Sequence, residues 1–288
     1  MSDNKVEYVA DRISILCPTR MRPENVIRLV NSARSRARNP NLLEFIFYVD
    51  FDDNSFPDIA DVVVIRGPRI WISLAHNAIY THAKGEFLMT AGDDMEFVSD
   101  NWDTAIRDKF ATIPDKIALV FGNDLSSYSG KIATHGFFHR NWVNALGVWV
   151  QPGRGCPWDL WSTDIAKRLG RFFYLENVLI KHHHYRQGLK DVVFDSTYSY
   201  VYSSNSAFEP NKTYNILERE RRIDLILLSE RMLSKPPIEI KYFLSTILGR
   251  YLTRYLSEVK IRKLLVLNNF QMVFFPAKYF LNLLKRSR

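Results

Sequence analysis

Apolar residues in the first part of the chain come in short continuous runs, each closed by a polar loop. Ile13-Ser14-Ile15-Leu16-Cys17 predicts a buried strand that ends at Pro18-Thr19-Arg20-Met21-Arg22-Pro23. Over residues 24–37 the period becomes helical, with Val26, Leu29, Val30 and Ala33 on one face. Residues 45–49 predict a second strand running into Asp50-Phe51-Asp52-Asp53, and residues 62–65 a third, stopped by Gly67-Pro68. A helix over 72–83, a strand over 86–91, a helix over 101–110 begun by Ser99 or Asp100, and a strand over 117–121 continue the alternation. Strands alternating with helices predict an α/β fold, a mostly parallel sheet with helices on both faces.

Beyond Gly122 the pattern loosens. Glycine, serine, asparagine and aromatic residues mix through Gly136-Phe137-Phe138-His139 and Gln151-Pro152-Gly153-Arg154-Gly155-Cys156-Pro157. Order returns with a helix over 158–169, stopped by Gly170, and a strand over 172–180 leading into Lys181-His182-His183-His184. Near the end, residues 242–259 place Phe243, Leu244, Ile247, Leu248, Tyr251, Leu252, Tyr255, Leu256 and Val259 in two adjoining rows of an amphipathic helix. A second short helix is expected over 278–285.

Charge changes this picture only at one end. The 288 residues carry a net charge of +8, yet residues 231–288 hold 12 of the 39 Lys/Arg and only Glu239 and Glu258 among the 31 Asp/Glu. The remainder is nearly neutral, which argues against a nucleic-acid groove across the fold. It favours a basic tail able to lie on an anionic membrane surface, or to pack on its own domain or a second copy. Oligomeric state stays open. With 47% hydrophobic residues the chain can bury a large core. Met1-Ser2-Asp3-Asn4-Lys5 has no apolar run behind a basic start, and Cys17 and Cys156 make no disulfide framework. The expected compartment is therefore the cytoplasm, with peripheral attachment to the cytoplasmic membrane face.

Chemistry enters at Gly92-Asp93-Asp94, where two carboxylates stand as the apolar run Phe87-Leu88-Met89 meets a loop. Strand ends of open α/β sheets bind ligands, and carboxylates there suit a hard divalent cation such as Mn²⁺ or Mg²⁺. A capped turn before a helix is the other reading of the pair.

The stretches Ile72-Ser73-Leu74-Ala75-His76-Asn77-Ala78, Ala83-Lys84-Gly85-Glu86-Phe87-Leu88 and Gly92-Asp93-Asp94, in that order, resemble the nucleotide-sugar-dependent glycosyltransferases of the GT-A fold, family 2-like. The resemblance spans residues 12–200. It implies a GT-A catalytic domain over 1–205, with a nucleotide-sugar half (1–122) and an acceptor half (123–205), followed by a helical extension over 206–288. The implied activity is hexosyl transfer from a nucleotide-diphosphate donor to a saccharide, lipid-linked or protein acceptor, with inversion. Pro18, Thr19, Arg20 and Arg22 match the loop after the first strand of that superfamily, and Asp50 and Asp52 the acidic end of its second. Asn77 lies in a matching stretch and is grouped with the donor-binding positions. Gly92 stands where the family's Asp-x-Asp motif has its first aspartate, so the resemblance makes Asp94 the metal ligand and turns Asp93 toward the ribose or a metal-bound water.

Position in the same family makes Asp159 the base for the acceptor hydroxyl, with Asp164 in reserve, and sets Trp158 and Trp161 beside it as stacking faces. Either His182 or His184 completes the metal shell, since alternation along a strand sends both to one face and His183 to the other. Two rivals accompany this reading. A nucleotidyltransferase on a related fold would want a basic, glycine-rich phosphate loop, which Pro18-Thr19-Arg20 is not. An idle membrane-bound scaffold would have lost its metal with the aspartate missing at Gly92.

Overall fold

The computed structural model of the chain describes residues 8–150, 158–184, 195, 199 and 217–232. Its strands are β1 (Val9–Thr19), β2 (Leu43–Asp50), β3 (Val62–Gly67), β4 (Gly85–Thr90), β5 (Met95–Phe97), β6 (Leu119–Asn123), β7 (Gly136–His139) and β8 (Phe172–His182). Among the described residues they form an eight-stranded sheet in the order β3-β2-β1-β4-β7-β6-β8-β5. The helices are α1 (Pro23–Arg36), α2 (Ile72–Tyr80), α3 (Trp102–Ala111), α4 (Arg140–Leu146), α5 (Trp158–Arg168) and α6 (Glu218–Arg231).

The parallel strands β3, β2, β1 and β4 follow from their apolar runs. In β2 every side chain from Phe45 to Asp50 is buried, and in β4 all of them are, as expected for strands covered on both faces. Helix α1 starts with Pro23 at its first turn and closes one face with Val26, Leu29, Val30 and Ala33, which join Ile13, Ile15, Phe45 and Phe47 in one core. Register carries the functional consequence. Thr19 pairs with Val49 and Leu16 with Thr90, so β1, β2 and β4 end side by side and the loops at Arg20–Arg22, Asp50–Asp53 and Gly92–Asp94 leave one edge together.

Two elements differ from the expectation. Gly136-Phe137-Phe138-His139, expected within a loop-rich half, is the buried strand β7, antiparallel to both β4 and β6. Gly136 is needed there because a Cβ would lie 2.4 Å from Leu119 Cδ1. Strand β8 runs on past Ile180 through His182 because β5 pairs with it antiparallel, Met95 opposite His182. The contacts divide the chain into units Met1–Pro236 and Pro237–Arg288. The second unit, with both amphipathic stretches of the basic tail, lies outside the described residues, as does the segment 151–157. Helix α6, assigned from sequence to the extension, packs on α4 and α5: Trp161 Nε1 donates to Asp224 at 2.8 Å, and Arg221 Nε to Asp164 at 3.1 Å.

At the opposite edge from the loops, Glu86 ties three strands together. Its carboxylate accepts the Asp11 N–H at 2.9 Å, Lys116 Nζ at 2.6 Å and His139 Nε2 at 2.9 Å. Because His139 Nδ1 already accepts the Asn141 N–H at 3.0 Å, the imidazole is the neutral tautomer with its proton on Nε2. Burial alone would raise the Glu86 pKa, but Lys116, the Asp11 amide and His139 outweigh it and bring it to about 2. A folded-state pKa below the unfolded one contributes stability that is complete above the unfolded value and lost as pH falls through the folded value. Glu86→Gln should therefore cost about 1–3 kcal/mol at neutral pH and flatten the loss of stability between roughly pH 4.5 and 2. Denaturant titrations across that range check it, and an unchanged acid limb would refute it.

Candidate active site

The loop after β1 turns sharply at Met21, whose φ is 53° and whose N–H donates to Asp53 Oδ2 at 2.6 Å. That turn sends the two flanking arginines to different partners. Arg20 bonds Asp50 at 2.8 Å and holds Asp52 with two nitrogens. Arg22 donates to Asp93 Oδ1 at 3.0 Å and grips Asp195 through Nε at 2.6 Å and a terminal nitrogen at 2.9 Å. Thr19 Oγ1 donates to Asp93 Oδ2 at 2.7 Å. Asp93 is thus engaged on both oxygens by the β1 loop. Its carboxyl is nevertheless pushed up, by burial first and by neighbouring Asp94, against the pull of Arg22.

Asp94 faces the other way. His182 Nε2 lies 3.3 Å from Asp94 Oδ2, and Asp94, His135 and His182 each offer a ligand atom within 4.8 Å of the others. Two ligands bound at about 2.1 Å to one ion sit roughly 3–3.5 Å apart, so small side-chain adjustments close the set. His135 comes from the residue before β7, where the Gly136 N–H bonds the Thr90 hydroxyl at 3.2 Å, and its ring meets that of His182 edge-on with centroids 4.6 Å apart. Neither ring nitrogen of His135 makes a hydrogen bond of standard geometry, although both are buried. Burial, then His182, pushes its pKa down to about 3, against a weaker pull from Asp94, Asp124 and the Thr90 backbone, so the imidazole is neutral and keeps a free lone pair. His182 is the reverse: burial would lower it, but the Asp94 carboxylate, with Asp124 and Asp159 behind, raises it. Anionic carboxylates around neutral or readily neutralised imidazoles are the donor chemistry of a divalent metal, and the orphaned His135 nitrogens fit one.

The remaining positions separate. His184 sets its ring 5.2 Å from that of His182 at a tilt but does not join the Asp94–His135–His182 group, whereas His183 bonds Glu96 at 2.7 Å. Asp159, at the start of α5, interacts electrostatically with His182, and burial raises its pKa against the Leu160 amide, which donates to it at 2.8 Å. Asp164 is held by Arg168 at 2.9 Å and by Arg221, which removes it as a reserve base. Asn77 does not join the donor loops: its amide donates to Val150 O at 2.6 Å and Ser73 O at 3.0 Å and accepts the Val150 N–H at 3.0 Å. It anchors the chain entering the segment 151–157. Pro18 lies within β1, paired with Tyr48. Trp161 is core, bonded to Asp224, while Trp158 sets its ring 5.8 Å from the buried His76. His135 was missed from sequence because a lone histidine in a loop carries no signal until β7 is known to lie beside β4.

No protein-family model and no curated protein matches the chain by sequence. Among solved structures it is similar to residues 1–349 of TarS from S. aureus in complex with UDP-GlcNAc. That likeness has a TM-score of 0.53 at 13% identity and covers 85% of this chain and 73% of that one. A mannosyltransferase from Pyrobaculum calidifontis, solved with GDP-Man and Mn²⁺, aligns over 88% of this chain and 85% of its own at 12% identity. Its TM-score is 0.45. The likeness is one of fold, and the fold is that of the GT-A glycosyltransferases.

Gly92 is the tightest point of the site. A Cβ there would lie 2.6 Å from Asp94 Oδ1 and 3.3 Å from His135 Cε1. Gly92→Ala should displace both side chains, weakening Mn²⁺ binding by ~10-fold or more while the melting temperature moves only a few degrees. Calorimetric titration of Mn²⁺ beside a thermal melt checks it, and wild-type affinity would refute it.

Proposed function

We propose that the chain is a metal-dependent glycosyltransferase that moves a sugar from a nucleotide-diphosphate donor to an acceptor hydroxyl with inversion. The observation that carries the reading is the convergence of Asp94, His135, His182 and Asp159 beside the β1, β2 and β4 loops of a GT-A sheet. Arg20, framed by Asp50 and Asp52, and Arg22 with Thr19 and Asp93 form the side suited to the nucleotide. Carboxylates beside guanidinium groups, Asp50 and Asp93 buried and Asp52 exposed, give that side directional acceptors for ribose hydroxyls and donors for phosphate oxygens. A divalent cation held by Asp94, His135 and His182 would neutralise the charge growing on the departing diphosphate.

Asp159 takes the proton of the acceptor hydroxyl as the new bond forms. Burial raises its pKa, which makes the carboxylate a stronger base than one in water, against the opposing pull of the Leu160 amide and, more weakly, His182. Asp159→Asn should cut transfer by ~10²-fold or more and leave donor affinity unchanged, because the base acts only on the acceptor. Steady-state transfer and donor titration together check it, and a parallel collapse of donor affinity would refute the assignment. The released nucleotide is a second readout. A diphosphate product accords with glycosyl transfer, whereas a monophosphate would indicate cleavage at the α-phosphate.

The basic C-terminal segment, by its charge and apolar rows, supports peripheral binding to an anionic membrane surface. Attraction of ~1 kcal/mol per basic residue near the surface is screened by salt. Full-length protein should sediment with phosphatidylserine-containing vesicles at low ionic strength and be released as salt rises. Failure to sediment, or release that ignores salt, would refute the membrane role.

A further inference from the structure

We propose that His135 is a metal ligand recruited because position 92 can supply none, and that the resulting set of two imidazoles and one carboxylate makes the site selective for Mn²⁺-type transition metals over Mg²⁺. The inference rests on the metal-dependent reading above and specifies its cofactor.

A side chain at position 92 could enter only by displacing the Asp94 carboxylate and crowding the His135 ring, since a Cβ would lie 2.6 Å from Asp94 Oδ1 and 3.3 Å from His135 Cε1. The space beside Asp94 that a longer residue at 92 would need is therefore filled by His135. Burying an imidazole with no hydrogen bond of standard geometry on either nitrogen, only the weak pull of the Thr90 backbone beside it, costs about 1–3 kcal/mol per unsatisfied group, and packing alone gives no reason to bear that cost. A ligand nitrogen within 4.8 Å of the donor atoms of Asp94 and His182 gives one. Hydrogen-bonded histidines elsewhere in the chain show the contrast: His139 uses both nitrogens, on Glu86 and the Asn141 amide, and His183 bonds Glu96.

The second nearby carboxylate does not alter the donor set. Asp93 spends its oxygens on Thr19 and Arg22, and displacing either would unpair a buried polar group. Asp94 is left as the hard ligand, with two nitrogen donors. Mg²⁺ prefers oxygen ligands in a near-ideal octahedron and retains its waters, whereas imidazole suits the first-row transition metals. The same two nitrogens that raise affinity for Mn²⁺ thus offer Mg²⁺ little.

The test reads metal binding by the full-length chain without any nucleotide sugar. Mn²⁺ affinity is measured by electron paramagnetic resonance, Mg²⁺ by its ability to displace Mn²⁺, and ligand identity by spin-echo modulation from coordinated imidazole nitrogen. Wild-type protein should show two such nitrogens and hold Mn²⁺ at least ~100-fold more tightly than Mg²⁺. His135→Ala should weaken Mn²⁺ binding by ~100-fold or more, since losing even a supporting partner of a ligand costs ~10–100-fold. His135→Asp, which keeps a ligand but exchanges nitrogen for oxygen, should show one coordinated nitrogen and regain Mg²⁺ binding, an outcome that a purely structural histidine would not give. His183→Gln should match the wild type. One coordinated nitrogen in the wild type, equal displacement by Mg²⁺, or an unchanged metal preference in His135→Asp would overturn the assignment. Tight Mn²⁺ binding through two nitrogens by a protein that turns over no nucleotide sugar would uphold the assignment and remove the transferase reading. Transfer equally supported by Mg²⁺, with His135→Asp unchanged, would do the reverse.

Discussion

Two carboxylates buried next to each other at the end of one strand govern the arrangement around them. Asp93 and Asp94 leave β4 where three strands stop together, and neither can remain there charged without compensation from another part of the chain. The chain resolves this by dividing them. Asp93 is satisfied by the β1 loop through Thr19 and Arg22, and Asp94 by His182 brought from β8. The register of β1 against β4, the antiparallel insertion of β7 and the β5–β8 pairing all bear on one small volume for that reason. The helices mainly hold these strands in place.

Much of this was legible in the sequence where the signal is local. Continuous apolar runs closed by polar loops located β1 to β4 and β6, because a strand covered on both faces needs no alternation to be recognised. The period of α1 and the Gly170 stop after α5 were equally local. Strand β7 was not legible: four residues, among them a glycine and a histidine, lack the length and pattern of a strand, and only the flanking strands make them one. The candidate site divides in the same way. Asp94 and His182 stand at strand ends and declare themselves. His135 depends on β7 lying beside β4, and the contacts of Asn77 and Asp164 on partners at Val150 and Arg221, which no spacing rule connects.

Helix α6 shows how far the core extends beyond its sheet. Its mean polarity gives no amphipathic signal, yet Leu225 and Leu228 are buried and Arg221 lies over the Trp161 ring at 5.6 Å while bonding Asp164 and Glu218. Charged groups rather than an apolar stripe fix this helix on α5, the element that also carries Asp159. Asp159 therefore sits on a helix that ion pairs at Asp164 and Arg168 tie to α6.

Arg22 is already bound before any ligand arrives. Its guanidinium clasps Asp195, 173 residues away, through two nitrogens and Asp93 through a third. A cation occupied in this way does not add its full attraction to an incoming anion. It contributes only the difference between the new partner and the one given up, so any group that engages it must match the two-pronged geometry of a carboxylate. The internal carboxylate acts as a resident competitor and sets a threshold: weakly matched anions leave the clasp intact, and only a well-matched one displaces Asp195 from it.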